Sequence, residues 1–196
     1  MDNSDKEWIE SITMDNDKIR DKINNEDYND IELWITTNVT DMSSLFKDNS
    51  TFDYDISKWD VSNVTNMEYM FDGCRKFNRD IGNWDVGNVT DMSYMFLLAD
   101  NFNQDIGNWN VGNVTDMSYM FSYCLEFNQD VKNWNISNVT NMKFMFMYCK
   151  NFNQNISNWN TRNIISMMGM FIGCDNFHQD IGNWNTSKVS NMRVMF

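Results

Sequence analysis

Phe102-Asn103-Gln104-Asp105-Ile106-Gly107-Asn108-Trp109-Asn110-Val111-Gly112-Asn113-Val114-Thr115-Asp116-Met117-Ser118-Tyr119-Met120-Phe121 is the stretch on which the fold turns. Its pattern recurs through the chain every 25 residues, with Trp34, Trp59, Trp84, Trp109, Trp134, Trp159 and Trp184 in one register. Phenylalanine occupies two registers, Phe46 to Phe196 and Phe52 to Phe177, and only Phe144 falls outside them. Of the 17 methionines, 13 fall in two registers, Met42 to Met192 and Met70 to Met195. A unit this short cannot bury so many large apolar groups alone. Stacking each unit on the next buries them, which is the physics of a repeat solenoid.

Within a unit the hydrophobic period changes. Val64, Met67, Met70 and Phe71 have the i, i+3, i+6, i+7 spacing of about two helical turns. The preceding Ile56, Trp59 and Val61 end in strand-like alternation. The expected fold class is an α/β repeat solenoid. Each coil is expected to hold a short parallel strand, a turn, a short helix or 3₁₀ segment, and a return loop. Parallel strands of neighbouring coils would sit about 4.8 Å apart.

Residues 1–26 do not follow the repeat, so two regions are expected: a helical N-terminal cap over 1–26 and a seven-copy array over 27–196. Ser4 and Glu7 have capping-box spacing. Trp8, Ile9 and Ile12, then Ile19 and Ile23, suit one or two amphipathic helices over the open edge of the first coil. Asp2, Asp5, Glu7, Glu10, Asp15 and Asp17 begin an acidic run that reads as a solvated face or as an acidic docking tail. At the other end, the coil ending at Phe196 carries no cap. It is expected either to continue into a longer array or to self-associate end to end through an exposed apolar face.

The net charge is −13, from 28 Asp plus Glu against 15 Lys plus Arg. Phosphate recognition needs clustered cations, so nucleic acid is not an expected partner. Met1 to Trp8 contain neither a basic n-region nor an apolar run, so no secretory signal is expected. No run approaches the roughly 20 apolar residues of a membrane span, so no membrane insertion is expected. At face value the location is cytoplasmic. His178 is the single histidine, which argues against His-based catalysis and a paired-His zinc site.

The phrases Asn63-Val64-Thr65-Asn66-Met67, Met70-Phe71-x-x-Cys74 and Phe102-Asn103-Gln104-Asp105-Ile106-x-x-Trp109 resemble the BspA-like leucine-rich-repeat family. That family includes the repeats of mycoplasma surface lipoproteins, a domain of unknown function, with relatives in protists and giant viruses. The resemblance covers about residues 29–196. It implies a leucine-rich-repeat-like solenoid and a cell-surface, adhesion or host-interaction role. The chain departs from the surface members in showing no lipobox cysteine.

Several registers could carry chemistry. Cys74, Cys124, Cys149 and Cys174 share one, in which Ala99 also stands. Reduced core thiols are expected there over disulfides or a metal. Asp55, Asp80, Asp105, Asp130 and Asp180 form another, interrupted by Asn155. It could bind calcium or accept backbone N–H groups, and the second is favoured. The Asn-Val-Thr phrases from Asn38 to Asn138 match glycosylation acceptors but suit turns. Tyr69, Tyr94, Tyr119 and Phe144 form an aromatic column at the edge of the core face. It would be a contact surface for protein or glycan, or be partly buried against the next coil. No catalytic motif, cofactor loop or metal-ligand spacing is present. The expectation is a non-enzymatic module that binds a protein through its repeated face, with no cofactor. The alternatives are a structural protein stacking through its last coil and a glycan-binding adhesin.

Overall fold

The computed structural model describes residues 3–196; Asp2 of the acidic run lies outside the described residues. Two helices open the chain, α1 over Asn3–Ile12 and α2 over Asn16–Asn24. Ser4 and Glu7, the expected capping box, lie inside α1. Asp15 caps α2, its carboxylate accepting from the N–H groups of Asp17 and Lys18 at 3.1 and 2.9 Å. Ile12, Ile19 and Ile23 are buried, whereas Trp8 stays exposed. A single 3₁₀ turn, Ile31–Leu33, leads into the repeats.

α2 supplies the first repeat with the partners that a preceding repeat would otherwise give. In later units the N–H of Thr65, Thr90 or Thr115 donates to the threonine carbonyl of the unit before. Thr40 instead donates to Asn16 Oδ1 at 2.9 Å, and Asp41 donates there at 3.2 Å. Arg20 donates to the carbonyls of Ser43 and Asp41 at 2.8 and 3.3 Å, positions that later units present to backbone N–H groups. Backbone groups at an open edge must find partners, and here two polar side chains are those partners.

From residue 34 on, no helix or extended strand forms. The units are joined by isolated parallel bridges, Asp41 to Asn66, Asn66 to Asp91, Asp91 to Asp116 and onward to Asn191, in steps of 25 residues. This pairing does not fall on Ile56–Val61, where the strand was expected. It falls on the segment whose spacing suggested a helix. There, alternate N–H groups of Met117, Tyr119, Phe121 and Tyr123 donate to the next unit. Between them, Met120, Ser122 and Cys124 close tight turns by donating three residues back. A spacing of three is common to a helical turn and to consecutive tight turns, so the period alone does not separate them. Left-handed residues at every fourth position, Tyr119 at φ 58° and Tyr123 at φ 60°, break both helix and strand.

In five of the seven units three corners are Asx turns. Asp105, Asn110 and Asp116 accept from the N–H groups of Gly107, Gly112 and Ser118 at 3.0, 3.2 and 2.7 Å. Between corners the apolar side chains point inward. Phe102, Ile106, Trp109, Val111, Val114, Met117, Met120, Phe121 and Cys124 are all buried. Trp109 Nε1 donates to the carbonyl of Ile81 in the preceding unit at 3.0 Å, and the other repeat tryptophans from Trp59 to Trp184 make the equivalent bond. The indole is thus buried with its one donor satisfied. On the outside, Gln129 Nε2 donates to Asn103 O and Oδ1 at 2.8 and 2.9 Å, continuing a side-chain ladder between units.

Candidate interaction surface

The aromatic column sits at a position of unusual backbone cost. In the seven units it is occupied by Ser44, Tyr69, Tyr94, Tyr119, Phe144, Gly169 and Val194, each at positive φ between 49° and 62°. Non-glycine residues in left-handed conformation cost about 1–2 kcal/mol each. From Ser44 to Gly169, each of these residues turns the chain after its own N–H has bonded to the following unit. Tyr94 N, for example, donates to Ser118 O at 2.9 Å, and Leu97 N returns to Tyr94 O at 3.1 Å.

The rings stack along the array. Tyr69 and Tyr94 lie 4.3 Å apart at 16°, Tyr94 and Tyr119 4.6 Å apart at 11°, and Tyr119 and Phe144 4.9 Å apart at 31°. Lys47 of the preceding unit places its ammonium 4.0 Å from the Tyr69 ring centre and 2.9 Å from the Asp72 carboxylate. At the other end the Phe144 ring lies over Gly169, where a Cβ would overlap it. Every ring therefore has neighbours along the stacking direction, and all four rings are half-buried. A second, shorter stack runs beside it, Tyr123 on Tyr148 at 4.7 Å, again in left-handed positions and again ending over a glycine, Gly173. Sequence reasoning missed this stack. Its signal was present, since Gly73 and Gly173 mark that register as one where the backbone prefers no side chain.

Packing tunes the phenols. Burial pushes up Tyr69 and Tyr119, and burial with the neighbouring Tyr69 phenol pushes Tyr94 up to about 12. Carboxylates act on the column, Glu68 and Asp91 on Tyr69, and Asp116 and Glu68 on Tyr94. Glu68 is held above the usual range by burial, then by the negative charges of Asp91 and Asp116. Asp91 accepts from Ser93 N and Oγ at 2.8 and 2.6 Å, and Asp116 Oδ2 accepts from Asn141 Nδ2 at 2.9 Å.

The other registers are structurally engaged. All four cysteines are free, and Cys124 Sγ donates to Phe96 O at 2.9 Å, with Cys74, Cys149 and Cys174 in equivalent bonds. Burial raises their thiols, Cys174 to about 12. In the aspartate register, Asp80 and Asp180 accept from glycine N–H groups at 2.9 and 2.8 Å, and Asn155 makes the same turn with Ser157 at 3.0 Å. Asn113 and Asn138 Nδ2 donate to the preceding unit's Gly87 and Gly112 carbonyls, both at 2.7 Å. His178 is exposed and keeps the asparagine ladder going, its N–H bonded to Asn153 Oδ1 at 3.2 Å. Among the described residues no cluster of His, Cys, Asp or Glu is placed to hold a metal ion, and no helix is long and apolar enough to cross a membrane.

The model of the family described as Mycoplasma protein of unknown function, DUF285, matches residues 15–134 and again 122–196. No curated protein and no solved structure matches the chain.

Proposed function

The chain belongs to the DUF285 family of mycoplasma proteins of unknown function, and on that premise we propose that it is a non-catalytic module that binds a protein through the Tyr69–Phe144 column. We read the units as BspA-like, leucine-rich-repeat-like solenoid coils, acting in a surface or host-contact setting as that resemblance implies. One observation carries the binding role. The left-handed position accepts Ser44, Gly169 and Val194 in other units, so stacking the units does not require an aromatic residue there. Four successive units nevertheless hold one, against the backbone preference. Strained residues that the fold does not demand concentrate where a molecule makes contact.

The ring arrangement favours protein over glycan. Sugars recognised by stacking lie on an open aromatic face. Here Tyr94 and Tyr119 each have ring neighbours on both sides, and Lys47 lies over Tyr69. What remains is a strip of half-buried aromatic side chains, suited to contact with a polypeptide. The test is subtractive panning of a random dodecapeptide phage library against the native protein and a Tyr69→Ser/Tyr94→Ser/Tyr119→Ser variant of unchanged circular dichroism. Peptides that bind the first and not the second are expected. A library yielding none, or only peptides that bind both, would overturn the reading.

A further inference from the structure

We propose that the column's partner is a basic segment of extended polypeptide, its lysine or arginine side chains seated between the ring edges and the carboxylates of Glu68, Asp91 and Asp116. This rests on the reading of the column as a protein-binding surface and names the chemistry that surface selects.

Three observations support it. The first is that the column already holds cations of its own chain. Lys47 Nζ lies 4.0 Å from the Tyr69 ring centre and Lys143 Nζ 5.7 Å from that of Tyr119. Both ends of this chemistry, ring and ammonium, are therefore compatible with the geometry in place. The second is charge. Glu68, Asp91 and Asp116 come from consecutive units, the charges of Asp91 and Asp116 reach Glu68, and none of the three forms an ion pair among the described residues. Asp41, one unit earlier, is by contrast already paired with Arg20 at 3.3 Å. The whole chain carries −13, so a cation is drawn to it from a distance and an acidic partner is repelled. The third is length. Four rings stacked at about 4.8 Å per unit make a strip roughly 14 Å long, which four or five residues of extended chain span.

Composition of the column-dependent peptides tests this separately from the binding role. Lysine and arginine are expected to be enriched among them. Peptides that depend on the column but are neutral or acidic would overturn the basic-partner proposal and leave the binding surface standing. An absence of column-dependent peptides would remove both.

An enriched basic peptide, labelled with fluorescein, then gives affinities by anisotropy. A Glu68→Gln/Asp91→Asn/Asp116→Asn variant should bind about tenfold more weakly, with a shallower dependence on salt. Its fold should hold, because Asn66 and Asn141 already make the Asx turn of this register. Asp105→Asn/Asp130→Asn/Asp180→Asn removes the same charge from a different register, where Asn155 likewise makes the turn. That control should bind nearly as the native protein does. Equal losses in the two variants would mean general attraction to an acidic protein and would overturn the assignment of this strip.

Discussion

Two aromatic ladders climb the molecule side by side, and they obey different rules. The inner one is phenylalanine in every unit from Phe46 to Phe196. Its rings stack at 5.4 Å between Phe71 and Phe96 and at 5.7 Å between Phe96 and Phe121, interleaved with the Phe77 and Phe102 register at 4.1 and 4.0 Å. The outer one starts two residues earlier in each unit and is aromatic in four units of seven. Its rings come closer, 4.3 and 4.6 Å, although their backbone is left-handed and they are only half-buried. From Phe46 to Phe171 the inner ladder is buried, and any smaller side chain there would leave a void in a close-packed core. No such void threatens the outer ladder. Its aromatic run is not demanded by core packing, which is the ground on which a binding role is proposed for it.

The comparison breaks most visibly if the two ladders prove equally important for stability. Phe121→Ala should cost about 3–5 kcal/mol in urea unfolding. Tyr119→Ala, two residues away, should cost about 1 kcal/mol, because it loses ring stacking while the strained backbone remains. Comparable losses would mean that the outer column is part of the core. Next in size is Gly169→Ala. The new Cβ would overlap the Phe144 ring in a backbone already at φ 62°, so a loss of about 1–3 kcal/mol is expected. Smaller still is Tyr119→Gly, which trades stacking for relief of the left-handed backbone. It should unfold within about 1 kcal/mol of the native protein, at or above Tyr119→Ala. If the alanine variant were clearly the more stable, the claim of backbone cost at this position would fail.

Much of this is legible in the sequence. The inner ladder, the tryptophan register and the unit length follow from side-chain identity alone, because burial tolerates so few alternatives at Trp109 or Phe121. The two N-terminal helices were also legible from the spacing of Ile12, Ile19 and Ile23, although Trp8 faces solvent. Secondary structure within the unit was not. Val64, Met67, Met70 and Phe71 spell a helix by spacing, yet the backbone there alternates between bonding the next unit and turning on itself. The glycines at 73, 169 and 173 held the missing clue to the left-handed positions, but as three glycines in two registers they were hard to weigh. The column was found from repetition. Its stacking, its lysine neighbours and its companion pair Tyr123 and Tyr148 depend on ring directions that spacing does not encode.

The subtlest difference between the ladders is that only the outer one titrates. Tyr94 holds its proton up to about pH 12, burial being the main cause and the Tyr69 phenol the next. In the unfolded chain a tyrosine ionises near pH 10. Below about pH 10 both states keep the proton, and the stabilisation from the packed neutral phenol is fully present. As pH rises from about 10 toward 12 the unfolded chain ionises first, so unfolding releases a proton and stability falls. Tyr94→Phe keeps the ring and removes that proton. Urea midpoints of the native protein should therefore drop further over this window than those of the phenylalanine variant, whatever the lysines contribute in common. Phenolate absorbance should in parallel show a late-ionising group in the native protein that the variant lacks. Parallel pH curves for the two proteins would place Tyr94 in water, and the column would then be a loose fringe rather than a packed strip.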